Sequence, residues 1–330
     1  MPILTIAEAE DLATRTLIRC KTAEDNARSV ARALVAAEAD GLKGHGLSRV
    51  PTYAAQAKVG KVDGFAKPLM TRPKPALLAV DAAHGFAYPA LDAAVSALPE
   101  VVREEGVAVA PIRRSHHCGA AGHPAERLAE AGLVAILFAN TPAAIAPWGG
   151  SRAVFGTNPI AFACPLPERE PIVVDLSLSK VARGNILAAK QKGEPIPEGW
   201  ALDEAGRPTT DPDAALGGTM VPFGEAKGTA LALMVELLAA GLTGSNFAAE
   251  ASSFLDAEGP PPGTGQLIIA FEPAALGGAD SLMRFAALAS AIEDQPGARL
   301  PGRRRLEARR KARRDGLVVA DALVAEIERA

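Results

Sequence analysis

The order of helix and strand signals along the 330 residues constrains the fold more tightly than any bulk property. Residues 6 to 20 and 23 to 40 read as two helices, the second opened by Thr22 with Asp25 in a capping-box pattern and closed by Gly41. Ser48 is placed to cap a third helix, with Pro51 in its first turn. Residues 76–81 read as a strand, 92–105 as a helix and 107–114 as a strand. A helix over 125–131 and a buried-strand run over 133–140 follow. The glycine- and proline-rich stretch 146–171 predicts short strands joined by shaped turns. Beyond it come a strand at 172–176, a helix over 179–192 and a long polar stretch, 193–223, expected to be a surface excursion. Residues 227–242 form a strongly apolar helix expected to be buried on most of its circumference. A strand at 265–271, a helix over 280–293 and a basic helical end complete the chain. This order is neither a regular βαβ alternation nor an all-β series, and no repeat is visible. It predicts α+β layers, in more than one domain because a chain of this length outgrows a single core.

Bulk charge narrows the partners. A net charge of −3 provides no global attraction to nucleic acid or to an anionic membrane. No run of about eighteen uncharged apolar residues occurs, and no basic leader precedes the acidic N-terminal stretch. Cys20, Cys118 and Cys164 are odd in number and widely spaced, which suggests no disulfide framework. A reducing compartment follows, and the chain is expected to be cytoplasmic.

Chemistry concentrates in two stretches. In 40–51, Gly41, Gly44 and Gly46 surround His45 and Arg49, an imidazole that titrates near neutrality and a guanidinium whose planar fork suits a carboxylate. A helix-to-helix turn with a surface histidine and a solvated arginine is the plainer alternative. In 114–123, small residues at the end of a strand and the start of a helix would let phosphate oxygens reach backbone N–H groups. His116, His117, Cys118 and His123 are all legitimate zinc ligands, but their spacing matches no standard zinc pattern, so no metal is expected. A plain turn remains open there too. No Gly-x-Gly-x-x-Gly follows a strand, because Arg49 stands where the third glycine after Gly44 and Gly46 should be. Lys227 opens a helix where its charge opposes the dipole, which an anionic partner or simple solvation would explain. The basic run 303–314 carries no aromatic readers, so it reads as a solvated helix or a nucleotide-phosphate site rather than as a nucleic-acid binder.

Taken in order, Gly-His-Gly-Leu-Ser-Arg-Val-Pro (44–51), Ser-His-His-Cys-Gly-Ala-Ala-Gly (115–122), Ala-Pro-Trp-Gly-Gly (146–150), Phe-Gly-Thr-Asn-Pro-Ile-Ala-Phe (155–162) and Leu-Pro-Gly-Arg-Arg-Arg (300–305) resemble the type-2 malate/L-lactate dehydrogenase family over nearly the whole chain. Thr-Gly-Gln-Leu-Ile-Ile (264–269) is most similar to its Δ1-piperideine-2-carboxylate/Δ1-pyrroline-2-carboxylate reductase branch. The resemblance implies an α+β, non-Rossmann, mixed-sheet dinucleotide-binding fold with helical N- and C-terminal elements, assembled as a homodimer. It implies a helical domain of residues 1–60 packed with 303–330, a central α/β segment of 61–115 with 280–302, and a cofactor-binding domain of 116–279.

By the same resemblance, His45 is the proton donor, with His116 as a substitute acid, and Arg49 and Thr157 touch a small carboxylate substrate. The cofactor, NADPH or alternatively NADH, would lie along His117, Cys118, Gly119, Ala120 and Ala121, then Asp175, Leu176, Ser177 and Lys227, and finally Pro301, Gly302, Arg303, Arg304 and Arg305. The expected reaction is reduction of a cyclic imine 2-carboxylate to L-proline or L-pipecolate. A 2-oxo acid such as the keto form of malate or lactate is the alternative substrate. Two departures stand out. The family's serine before the motif histidine is Gly44 here, and the aspartate that works with it in the reductase branch is Asn185.

Overall fold

The computed structural model describes residues 1 to 330. The chain opens with β1 (Ile3–Leu4), α1 (Ile6–Arg19), α2 (Glu24–Ala39) and α3 (Val50–Val59). Next come β2 (Leu69–Lys74), β3 (Leu77–Asp81), α4 (Ala87–Glu105), β4 (Val107–Ser115), α5 (Gly122–Glu130), β5 (Val134–Ala139), β6 (Ile160–Leu166) and β7 (Arg169–Leu176). After α6 (Arg183–Lys192) lie β8 (Ala201–Leu202), β9 (Pro208–Thr209), α7 (Pro212–Gly217), β10 (Thr219–Met220) and α8 (Ala226–Glu236). The last elements are β11 (Thr264–Phe271), α9 (Pro273–Gly277), α10 (Ser281–Glu293), α11 (Arg303–Asp315), β12 (Leu317–Val318) and α12 (Asp321–Arg329).

Strands from both halves of the chain form one seven-stranded sheet in the order β2-β3-β4-β11-β5-β6-β7. Only β3 and β4 run parallel, so the sheet is mixed, as expected. Its central strands bury Ile112, Leu137 and Ile268 against Leu98 of α4 and Leu128 of α5. The division drawn at residues 115 and 116 therefore falls inside a continuous sheet, because β4 pairs directly with β11. Helix α10 likewise sits against β6, its Ala289 buried with Leu166 and Leu300, rather than with the central segment. A second core joins the chain ends: Leu17, Leu34 and Tyr53 pack with Ala312 and Ile327, and β1 pairs with β12.

Several local expectations change. The capping box is at Thr5, whose hydroxyl accepts the Glu8 N–H at 3.2 Å while Glu8 accepts the Thr5 N–H at 2.7 Å. Helix α2 instead begins after Ala23 without a side-chain cap, and the Thr22 hydroxyl is buried with no partner. The close approach of Gly64 explains this, since the Ala23 N–H is tied to the Gly64 carbonyl at 3.0 Å and a Cβ on Gly64 would overlap Thr22. Ser48 caps nothing; its hydroxyl donates to the Lys43 carbonyl at 2.6 Å. Residues 193–223 are not a bare excursion, because β8, β9 and β10 form a small sheet whose Ala201 and Met220 join a third core with Ile145, Ile186 and Val235. Helix α8 is not wrapped on most sides either: Leu233 is 47% exposed, and Leu237, in the π-turn after it, is 54% exposed. Local hydrophobicity measures how apolar a helix is, not whether this chain alone covers it.

Candidate active site

The first piece of the site is the exit from α2. Gly41, at φ +77°, turns the chain into two short 3-10 turns, Lys43–His45 and Leu47–Arg49. Glu38 braces them by accepting the Leu47 N–H at 3.0 Å. Gly46 permits that brace, since a Cβ there would lie 2.2 Å from the Glu38 carboxylate. Burial pushes the Glu38 carboxyl up against the lowering effect of that hydrogen bond. Arg49 is pinned by one nitrogen: its Nε donates to the Gly44 carbonyl at 2.7 Å, leaving the two terminal nitrogens for a ligand.

The second piece is the end of β4. His116 and His117 leave the sheet and enter an aromatic box with Tyr53, Phe86 and Phe254. His45 stacks on His117 with ring centroids 5.2 Å apart and planes inclined by 26°. Both ring nitrogens of His116 and Nδ1 of His45 are buried without a hydrogen-bond partner. Buried polar atoms are normally paired, so three unpaired nitrogens in one chamber point to a ligand-binding space. Burial, reinforced by the Arg49 charge, holds His45 down to about 4; burial, with Lys61 and Arg49, holds His116 down to about 3. His117 is lowered as well, chiefly by burial. Near neutral pH all three rings in this chamber are uncharged. Burial pushes the Cys118 thiol up to about 12, so it is neither a thiolate nucleophile nor a ready metal ligand.

The remaining expected residues fall into distinct surroundings. Gly119 takes φ +67° and its missing side chain leaves room for the Tyr88 hydroxyl, while Ala120 and Ala121 are buried on the way into α5. The first N–H of α5, at Gly122, is not open to a phosphate as the sequence suggested: Asp175 accepts it at 2.8 Å. Thr157 is held by Thr141, whose hydroxyl accepts its N–H at 2.9 Å, and its carbonyl accepts the N–H of Leu178, just past Leu176 and Ser177. Ser177 Oγ lies 3.1 Å from Ser179 Oγ. Lys227 sits exposed in the first turn of α8, and Asn185 is exposed on α6.

The arginine run divides. Pro301 and Gly302, the latter at φ +84°, lead into α11, where Arg303 and Arg304 face solvent. Arg305 turns inward and binds Glu126 through two nitrogens at 3.0 and 2.8 Å, and Arg309 forks onto Asp40 at 2.6 and 2.7 Å. His123 Nε2 lies 2.8 Å from the same Asp40. The expected phosphate role of Arg305 is thus displaced by a buried carboxylate, which leaves Arg304 and Arg303, the latter in an exposed pair with Glu307 at 3.5 Å, as the arginines at the surface here. Of the four residues of the zinc alternative, His123 falls in a group spaced to hold a metal, with Asp40 and Glu126 rather than with His116, His117 or Cys118. His123 points to Asp40, away from the His116 and His117 box, and the Asp40, His123 and Glu126 group already has two guanidiniums offsetting its two carboxylates.

Residues 4–328 match the family described as malate/L-lactate dehydrogenase. The chain belongs to this family. It is an oxidoreductase with the family's mixed-sheet fold. It is 51% identical to a (2R)-3-sulfolactate dehydrogenase (NADP(+)) of Chromohalobacter salexigens, over 98% of this chain and 97% of the relative. It is 42% identical to the Δ1-pyrroline-2-carboxylate/Δ1-piperideine-2-carboxylate reductase of Pseudomonas aeruginosa, over 98% of each chain. The crystal structure of the Δ1-piperideine-2-carboxylate reductase from Pseudomonas syringae superposes with a TM-score of 0.94, covering 100% of this chain and 99% of that one at 38% identity.

Motif reading singled out His45, Arg49, His116 and His117, and the structure adds Glu38, Tyr53, Phe86 and Phe254 beside them. Tyr53 had a local signal, since it lies one helical turn beyond Arg49. Phe254 had none, because only folding brings its loop over the histidines.

Proposed function

We propose that this protein is an NAD(P)H-dependent reductase of cyclic imine 2-carboxylates, forming L-proline or L-pipecolate. The observation that carries this reading is an arginine with two free nitrogens beside a histidine that is neutral at physiological pH. Arg49 grips the substrate carboxylate with its terminal nitrogens and so presents the adjacent carbon. A cyclic imine can arrive already protonated on nitrogen, and a neutral His45 suits it by accepting a hydrogen bond from that N–H. The aromatic box around His116 and His117 excludes water from the reacting carbon. A bound nicotinamide would supply the hydride. The residues present fit a dinucleotide: Gly119, Ala120 and Ala121 are small residues on the turn into α5, Asp175 is a carboxylate suited to ribose hydroxyls, and exposed Arg303 and Arg304 suit a phosphate. Those two arginines favour NADPH over NADH. His117, Cys118, Leu176, Ser177, Lys227, Pro301 and Gly302 complete the proposed cofactor contacts, and Thr157 the proposed substrate contacts.

A second reading, a 2-oxo acid reduced to a 2-hydroxy acid, is favoured by the 51% identical relative and by the joint replacement at Gly44 and Asn185. The same Arg49 grip would serve, with a proton delivered to oxygen instead. The test is NADPH and NADH oxidation with Δ1-pyrroline-2-carboxylate, Δ1-piperideine-2-carboxylate, pyruvate, oxaloacetate and 3-sulfopyruvate. Turnover of the imines supports the first reading; turnover of the oxo acids alone overturns it.

The exposed apolar stripe of Leu233, Leu237 and Leu242 suits a homodimer, which sedimentation of the purified protein would test. The three free, buried cysteines accord with a cytoplasmic setting. No helix is long and apolar enough to cross a membrane.

A further inference from the structure

His45 has no hydrogen bond to fix its ring on the Nδ1 side; what it has is the face of His117. The orientation of His117 therefore sets that of His45. His117 is in turn held by Tyr53, whose hydroxyl oxygen lies 2.6 Å from His117 Nδ1. The Tyr88 hydroxyl lies 3.3 Å behind that of Tyr53, and makes no other hydrogen bond. Both phenols keep their protons, because burial pushes Tyr53 up to about 12 and raises Tyr88 well above its ordinary range. Two hydroxyl protons and one ring nitrogen must share this line of contacts. Only one direction uses both protons: Tyr88 donates to Tyr53 and Tyr53 donates to His117 Nδ1. The reverse direction leaves the Tyr88 proton without an acceptor in a buried place, which is unfavourable. His117 consequently carries its own proton on Nε2.

We propose that Tyr53, with Tyr88 behind it, is the positioning residue of this site: it sets the tautomer and tilt of His117 and, through the ring stack, the orientation of His45. The sequence supplies the geometry economically. Tyr53 lies on α3, the helix that Arg49 opens, so the residue that grips the carboxylate and the residue that orients the histidines move as one body. Tyr88 sits at the start of α4, and Gly119 lets its hydroxyl approach, since a Cβ there would lie 2.5 Å from that oxygen. The aromatic rings of Tyr53 and Phe86 meet at 5.6 Å, so the phenol ring is packed independently of its hydroxyl.

This inference rests on the proposed reductase activity for its kinetic arm but not for its spectroscopic arm. Tyr53→Phe keeps the ring and removes the donor. Nitrogen-15 NMR of histidine-labelled protein is expected to show a hydrogen-bonded acceptor Nδ1 on His117 in the unaltered chain and a shifted Nδ1 signal in the variant. With the substrate identified by the assay panel, kcat is expected to fall about tenfold, the range for losing a partner that orients a functional ligand, while KM for NADPH changes less than about twofold. Tyr88→Phe, which leaves the bond to His117 in place, is expected to lower kcat less than Tyr53→Phe. A protonated Nδ1 on His117 in the unaltered chain, or a Tyr53→Phe enzyme with unchanged kcat, overturns the inference. Rising KM values with unchanged kcat do so as well, because they would mark Tyr53 as part of the binding wall rather than as an orienting group. Inactivity of the unaltered chain on every imine and oxo acid would sink the functional reading alone, since the NMR result stands apart from it.

Discussion

Two buried polar regions flank residues 115–126, and they are built on opposite principles. In the cluster of Asp40, His123, Glu126, Arg305 and Arg309, each carboxylate meets charged donors at 2.6 to 3.1 Å. In the chamber of His45, His116 and His117, three ring nitrogens meet nothing. A saturated network leaves no site for a ligand to bind, whereas unmet hydrogen-bonding capacity inside an aromatic box is held ready for one. The cluster ties the end of α2, the first turns of α5 and the start of α11 into one frame, and the chamber hangs from that frame. Charge density, which drew attention to the arginine run in the sequence, marks the frame; in the reactive region the histidines are uncharged and Arg49 is the cation beside them.

This contrast can be broken most directly at Asp40. Asp40→Ala leaves the buried guanidiniums of Arg305 and Arg309 sharing a single carboxylate, Glu126, and is expected to cost about 3–5 kcal/mol, read as a lower denaturant midpoint, with KM values near normal in the protein that remains folded. A large loss of substrate binding without loss of stability would erase the distinction between frame and chamber. Next in size, Arg49→Lys keeps the charge and loses the fork. It should reduce kcat/KM for the carboxylate substrate by about a hundredfold, roughly 2.7 kcal/mol, with NADPH affinity little changed by fluorescence titration. Equal losses in both would remove Arg49 from its role as clamp.

The two regions should also separate on acidification. Burial holds His45 at about 4 and His116 at about 3, below the ordinary 6.5 of an imidazole in water. Their contribution is complete above about pH 6.5 and is lost as pH falls toward those folded values, because the unfolded chain binds the protons first. For Asp40, burial is outweighed by bonds from Arg309 and His123, which hold it at about 2 against the ordinary 3.8. Its contribution is present above about pH 3.8 and is lost as pH falls through about 2. Thermal midpoints across this range should therefore decline first through the chamber and later through the cluster. His116→Leu should flatten the upper part of the decline and Asp40→Asn the lower; the opposite assignment would refute the division.

The smallest expected effect is at Gly44. A Cβ there meets nothing within 4 Å, so Gly44→Ser should shift stability by no more than about 0.5 kcal/mol. Paired with Asn185→Asp, it is expected to raise the kcat/KM ratio of cyclic imines over 2-oxo acids. A ratio unmoved by the pair would show that proton handling at His45 is independent of both positions.

Much of the fold was legible because its signals are local. The paired helices at the start, the strands at 77–81, 107–115 and 264–271, and the break at Gly41 follow from periodicity and from the conformational freedom of glycine. Strand β2 was not legible: it is an exposed edge strand containing Pro73, with no buried face to impose a pattern. Within the site, His45, Arg49, His116 and His117 could be named from the chain alone, since each pair is close in sequence and rich in the side chains that proton transfer and carboxylate binding require. Tertiary structure decided how those groups work. It placed His45 against His117, set Tyr53 behind His117, brought Phe254 over both histidines from a distant loop, and turned Arg305 away from solvent toward Glu126. These outcomes depend on which polar atoms are left with partners after segments far apart in sequence have packed together. Short-range pattern carries the chemistry of a side chain, while burial and pairing, which belong to the whole fold, decide whether that chemistry is spent on structure or kept for a ligand.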